Sequence, residues 1–312
     1  MTNGTAPPEG ARWAGVATML ASAASNQTGA AVGALAFPVI GPAGVVAVRQ
    51  WVAAAVLLAV GRPRPRTFAG GRWRPVLALA AVFATMNLSL YTAVDRVGLG
   101  LAVTLEFLGP LAVALAGTRR RVDLGCALGA AAGVVTLTRP QPASDFLGLG
   151  LALLAACCWA SYILLNRSIG RSLPGVEGSA AAAGLSGLLF VPIGAVALVH
   201  DPPTARALAC AGAAGVLSSA VPFLADLLAL RRVPARLFGV FMSVNPVLAA
   251  AAGLLVLGET LGWTQWLGIL AIVTANAVTL ATRPPDRESP PRRASRAGRA
   301  ATPGRRATPG GG

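Results

Sequence analysis

Long runs without a charged residue recur along the chain from Trp13 to Thr282, and short clusters of arginine separate them. A helix of about 20 apolar residues crosses the ~30 Å hydrocarbon core of a bilayer. Lipid offers no partner to an exposed backbone N–H or C=O, so such runs must fold as helices or as strands of a closed barrel. Barrel strands alternate apolar and polar residues, whereas residues 148–156 are apolar at every position. Composition agrees: 55% of the 312 residues are hydrophobic and 12% are charged, against about a quarter charged in soluble proteins. The expected fold is an all-α membrane protein.

Ten transmembrane helices are expected, at residues 13–36, 42–60, 75–93, 99–117, 123–138, 147–166, 178–199, 207–229, 237–257 and 263–282. The first run is too long for the core of a secretory signal. Every basic residue is arginine, and their placement alternates. Arg62, Arg64, Arg66, Arg72 and Arg74 fall in one loop, Arg119, Arg120 and Arg121 in the next but one, then Arg167 and Arg171, then Arg231, Arg232 and Arg236, then the tail; the intervening loops hold only Arg96, Arg139 and Arg206. The positive-inside rule then puts both termini in the cytoplasm of a cell (inner or plasma) membrane. The net charge of +15 is thus a topology signal and implies no nucleic-acid partner. Residues 283–312 are Pro, Gly, Ser and Arg with little to bury, and are expected to be a disordered cytoplasmic tail. Its arginines suit contact with anionic lipid.

The residues 93–117 align without a gap with 229–253, matching Ala93 with Ala229, Arg96 with Arg232, Val97 with Val233, Pro110 with Pro246 and Gly117 with Gly253. Two copies of an odd number of spans must insert in opposite senses. The organisation expected is therefore two inverted five-helix repeats, residues 13–138 and 139–282, after a cytoplasmic N-terminus of residues 1–12. In secondary transporters built this way the substrate sits near the midplane between the halves.

Three ionisable side chains fall inside the spans: Arg49, Glu106 and Asp226. Each costs about 2.5–3.5 kcal/mol at a helix centre, so each needs a partner or a wet cavity. Arg49 and Glu106 each lie seven residues into a span that starts at the outer surface, at the same depth of ~10 Å. A cavity-facing pair is expected, with Glu106 accepting a proton or a substrate ammonium. Asp226 lies near the cytoplasmic end of its span, beside Arg231 and Arg232. Asn26, Gln27, Asn87, Tyr91, Trp159, Tyr162 and Asn245 are the polar side chains that could line a cavity for a small zwitterion, and Pro110 and Pro246 are matched helix breaks. Glu259, in the turn Gly258-Glu259-Thr260, is expected to be solvated or to cap the last helix.

No catalytic pattern competes. There is no phosphate-binding loop and no paired Cys/His spacing, and the one histidine, His200, is expected to be a solvated residue in a loop beside Asp201 and Pro202. The chain is not expected to be an enzyme, and no metal or cofactor is implied. The expected partners are a small-molecule substrate and the lipid bilayer, and a homodimer is compatible with such a chain.

Several segments together resemble a known family. They are residues 98–115, with the run Leu105-Glu106-Phe107-Leu108-Gly109-Pro110-Leu111-Ala112-Val113-Ala114-Leu115; residues 156–164, around Trp159-Ala160-Ser161-Tyr162; residues 241–246, ending Ser243-Val244-Asn245-Pro246; and residues 257–261. From about residue 13 to 282 the chain resembles the drug/metabolite transporter superfamily, its EamA-type permeases, and among these the threonine and homoserine exporters. The resemblance implies a ten-helix inverted-repeat exporter of small hydrophilic amino acids, driven by proton antiport. At one position the chain departs: such exporters carry a carboxylate just before the second-half proline, and here that residue is Asn245. Export of another metabolite by the same architecture, or a membrane receptor or assembly factor without transport, are the alternatives.

Overall fold

The computed structural model describes residues 9–64, 66, 73–116, 121–138, 145–172, 177–222, 225 and 243–282. Every element among them is helical: α1 (Glu9–Ala34), α2 (Phe37–Gly61), α3 (Trp73–Val97), α4 (Leu99–Glu106), α5 (Leu108–Ala116), α6 (Arg121–Thr138), α7 (Phe146–Ser172), α8 (Glu177–His200), α9 (Ala205–Gly215), α10 (Asn245–Ala252) and α11 (Trp263–Thr282). α9 and α10 each run on into a π-helical turn, Val216–Ala220 and Gly253–Leu257. Among the described residues, Phe37–Gly61, Trp73–Val97, Phe146–Asn166 and Glu177–His200 are long and apolar enough to cross a membrane, and shorter apolar helices accompany them. Leu188, Val196 and Leu255 stand exposed on the outer surface, a face that lipid solvates and water does not. The chain is a multi-pass membrane protein.

The helices pack in pairs across the sequence: α2 on α8, α3 on α7, α6 on α11, α4 on α10, and α1 on α9. Residues 99–116 form two helical segments that meet at Phe107, near the break expected at Pro110. Pro110 is the physical reason, because its ring nitrogen has no hydrogen to give the carbonyl of Glu106 one turn back. The Glu106 carbonyl therefore has no donor at residue 110. Pro246 sits in the first turn of α10, where a missing N–H costs nothing; residues 226–242, just before this segment, lie outside the described residues.

α4 is held at both ends. At its start, Gly98 has φ +85°, a conformation that a side chain would strain, and this aims the Leu99 amide away from its own chain. The carboxylate of Glu259 receives that N–H, with Oε1 at 2.8 Å and Oε2 at 3.0 Å. Glu259 reaches it from a turn opened by Gly258, itself at φ +71°. Glu259 is thus neither a solvated loop residue nor a cap of the last helix. α11 starts with its own bracket, in which Gln265 Oε1 accepts from the Gly262 amide at 2.7 Å. Beyond Phe107, Gly109 lies against the backbone carbonyl of Ala156, where a Cβ would collide. This lets α5 press onto α7 and carries Glu106 towards the aromatic residues of α7.

Candidate functional site

Between the helix pairs lies a partly open cavity of about 300 Å3. Eight of the residues expected at a site line it together: Asn26, Gln27, Arg49, Asn87, Tyr91, Glu106, Trp159 and Tyr162. They come from α1, α2, α3, α4 and α7, and from positions up to 136 residues apart in sequence. Most of the remaining wall is apolar, with Leu57, Leu79, Phe83, Leu90, Leu99 and Val103 among its residues. Ser179, near the start of α8, marks one end and Leu99, beneath the Glu259 turn, the other.

Arg49 is fixed by neutral groups. Its Nη1 donates to Asn87 Oδ1 and its Nη2 to the Ser218 carbonyl at 3.3 Å. The guanidinium carbon stands 4.9 Å from the centre of the Tyr91 ring, a cation–π contact. Asn87 is held in turn by its own amide, which donates to the Phe83 carbonyl at 2.8 Å. The ion pair expected between Arg49 and Glu106 does not form: among the described residues the one salt bridge joins Arg96 to Asp145, at 3.1 Å and outside the cavity. Equal depth put the two charges on one cavity, but depth says nothing about the direction each faces around its helix. Here Arg49 turns to α3 and α9.

Glu106 is 6% exposed and belongs to the last turn of α4. Its neighbour Phe107 stacks edge-on against Trp159, with ring centres 4.6 Å apart, and Phe83 lies 6.1 Å from Tyr162. Glu106 lines the cavity together with Phe83, Trp159 and Tyr162.

Asn245 does not line the cavity. It is 3% exposed and accepts from the Gln27 amide at 2.9 Å, so Gln27 presents to the cavity and Asn245 holds it from behind. Asp226, with Arg231 and Arg232, and the tail of residues 283–312 lie outside the described residues. Ser218 and Ser219 are lining residues that sequence reasoning did not select. They sit in the π turn after α9, a widened register that often marks functional positions. Ser218 ties that turn to α1, its hydroxyl donating to the Asn26 carbonyl at 2.8 Å. Serines in an apolar helix usually bond their own backbone, so composition alone offers no contrast by which to find them.

Residues 146–281 match the EamA-like transporter family. The threonine/homoserine exporter RhtA of Escherichia coli strain K12 is 38% identical over 271 residues, 85% of this chain and 90% of that protein. The protein of the same description in Salmonella typhimurium strain LT2 matches to the same extent. The uncharacterized transporter YcbK of Bacillus subtilis strain 168 is 27% identical over 131 residues, 40% of this chain. A protein known from its crystal structure shares the fold, with a TM-score of 0.58 at 20% identity, covering 88% of this chain and 97% of that one. The matched second half and relatives 38% identical over 85% of the chain agree, and the chain belongs to the EamA-like transporter family.

Proposed function

We propose that this transporter exports small polar amino acids such as threonine or homoserine by proton antiport, through a cavity that holds the substrate between Arg49 and Glu106. The observation that carries the reading is the presence of one cation and one anion on the wall of a single, partly open cavity of about 300 Å3. That volume suits a small zwitterion and a few waters, and each charge then meets its opposite without a direct pair between them. The 38% identity to threonine/homoserine exporters supports the substrate class.

Antiport follows if one carboxylate serves two ligands in turn. Glu106 facing the cytoplasm gives up its proton and takes the substrate ammonium; facing outward it releases the substrate as it accepts a proton. The carbonyl of Glu106, without a donor at residue 110, offers the ammonium a second acceptor. An inverted repeat would supply the two facing states. It is supported by the aligned prolines and by the packing, since exchanging the first five expected spans with the last five maps α3 on α7 to α9 on α1 and maps the other helix pairs onto themselves.

Counterflow in proteoliposomes containing this protein alone tests the substrate class. Preloaded threonine or homoserine is expected to drive uptake of the labelled amino acid, and an inside-acid or outside-acid pH step to change its rate. Absence of counterflow with every small polar amino acid would favour export of another metabolite, and absence of any flux a receptor or assembly role.

The arginine loops give the orientation, with both termini cytoplasmic. In a variant lacking Cys126, Cys157, Cys158 and Cys210, a cysteine at position 203 is expected to react with an impermeant thiol reagent on intact cells, while one at position 67 is protected. The reverse pattern overturns the orientation.

A further inference from the structure

We infer that Tyr91 is a specificity-determining residue of this cavity: with Arg49 it receives the free carboxylate of the substrate, and so rejects analogues in which that carboxylate is blocked. The inference rests on the amino-acid reading above and deepens it. Tyr91 is 2% exposed, yet its hydroxyl is buried with no hydrogen-bond partner, and the same holds for Nε of Arg49. Both side chains line the cavity. A buried polar group without a partner is costly and rare, and two of them on touching side chains call for one explanation.

The surroundings fix both groups in place. The Tyr91 ring is held edge-on by Phe37, with ring centres 5.9 Å apart, and has the Arg49 guanidinium over its face. A phenol has no freedom to move its oxygen once its ring is fixed. Arg49 has spent Nη1 on Asn87 and Nη2 on a backbone carbonyl, both neutral acceptors, and no ion pair to it forms among the described residues. What remains is a cation whose Nε–H has no partner, over a ring whose O–H has none either. The ligand group that satisfies both donors and the charge is a carboxylate, which accepts through two oxygens. Glu106 on the same cavity disfavours a ligand of higher negative charge and favours one whose far end is an ammonium. The substrate is thereby given a direction, carboxylate to α2 and α3, ammonium to α4.

Purified protein in proteoliposomes is tested for counterflow of labelled threonine, with unlabelled L-threonine or L-threonine amide as competitor. The wild-type protein is expected to prefer the acid to the amide. In Tyr91→Phe that preference should shrink by about tenfold, the loss expected for one hydrogen bond to a charged group, while competition by the amide is unchanged. Tyr91→Phe keeps the ring that packs on Phe37 and Arg49 and removes only the unpartnered oxygen. Its unfolding temperature without substrate should therefore equal or exceed that of the wild type, and the stabilisation by added threonine should shrink. Equal weakening of acid and amide, or a lowered unfolding temperature without substrate, would show a packing role and overturn the assignment. A preference unchanged in Tyr91→Phe would overturn it also, leaving the amino-acid reading intact. A wild-type protein that exchanges no threonine while moving another solute would overturn both.

Discussion

Glu106→Gln is expected to abolish the response of export to a pH gradient while the protein still reaches the membrane at its normal level. Glutamine keeps the shape and the acceptor oxygen of the side chain but can neither release a proton nor carry a charge, so the exchange of proton for ammonium has no carrier. Loss of a charge-assisted contact of about 1.5–3 kcal/mol also weakens substrate binding by roughly tenfold to a hundredfold. The geometry removes one competing account. Because Arg49 is held by Asn87, Ser218 and Tyr91 and forms no ion pair with Glu106, the double change Arg49→Gln with Glu106→Gln should restore nothing. The measurement is pH-driven flux in proteoliposomes with abundance read from the same membranes. Restored flux in the double variant would return Glu106 to an architectural role and leave Asp226 as the remaining intramembrane carboxylate for coupling.

The second large effect is expected at the far end of α4. Glu259→Ala leaves the Leu99 amide without its acceptor and removes a negative charge from a helix N-terminus, a loss of about 2 kcal/mol. Gly98→Ala should act through the same contact, because a Cβ there would stand 3.1 Å from the Glu259 carboxyl group and would strain a φ of +85°. Each single change is expected to lower the unfolding temperature in detergent and to slow export. The double change should cost clearly less than the two losses added, as for residues that share one interaction. Strict additivity would mean that Glu259 stabilises the protein elsewhere. Glu259→Gln, which keeps one acceptor oxygen, should fall between the wild type and alanine.

The positions of the helices were legible because absence of charge over some 20 residues has few physical explanations. α11 has the bounds expected, and the expected starts of α3, α6, α7 and α8 fall within two residues of those found. The cavity was legible for a related reason: a polar side chain in an apolar helix stands out, and Asn26, Asn87 and Tyr91 could be picked from the sequence one by one. What could not be read is which of them touch. In helices apolar on nearly every side the 3.6-residue period has no contrast, so Arg49 could be assigned a depth but no facing direction. The Glu259 cap was hidden for another reason, since the amide it serves lies 160 positions earlier. Asn245 illustrates both limits. Its polarity marked it as a lining residue, and only packing reveals that Gln27 stands in front of it.

α4 is eight residues long, a rigid arm of about 12 Å. Its root is the Gly98 turn clasped by Glu259, and its tip, where the helix stops at Phe107, carries Glu106. A swing of about 15° about the root moves the tip by about 3 Å, the length of one hydrogen bond. The backbone stays hydrogen-bonded through Phe107, whose N–H bonds back to the Val103 carbonyl at 3.1 Å and whose own carbonyl accepts from Leu111 at 3.4 Å, so α5 would follow such a swing. A carboxylate mounted in this way would work as a lever: a change in how the Glu259 turn grips Gly98 would reach, along one short helix, the charge on the cavity wall.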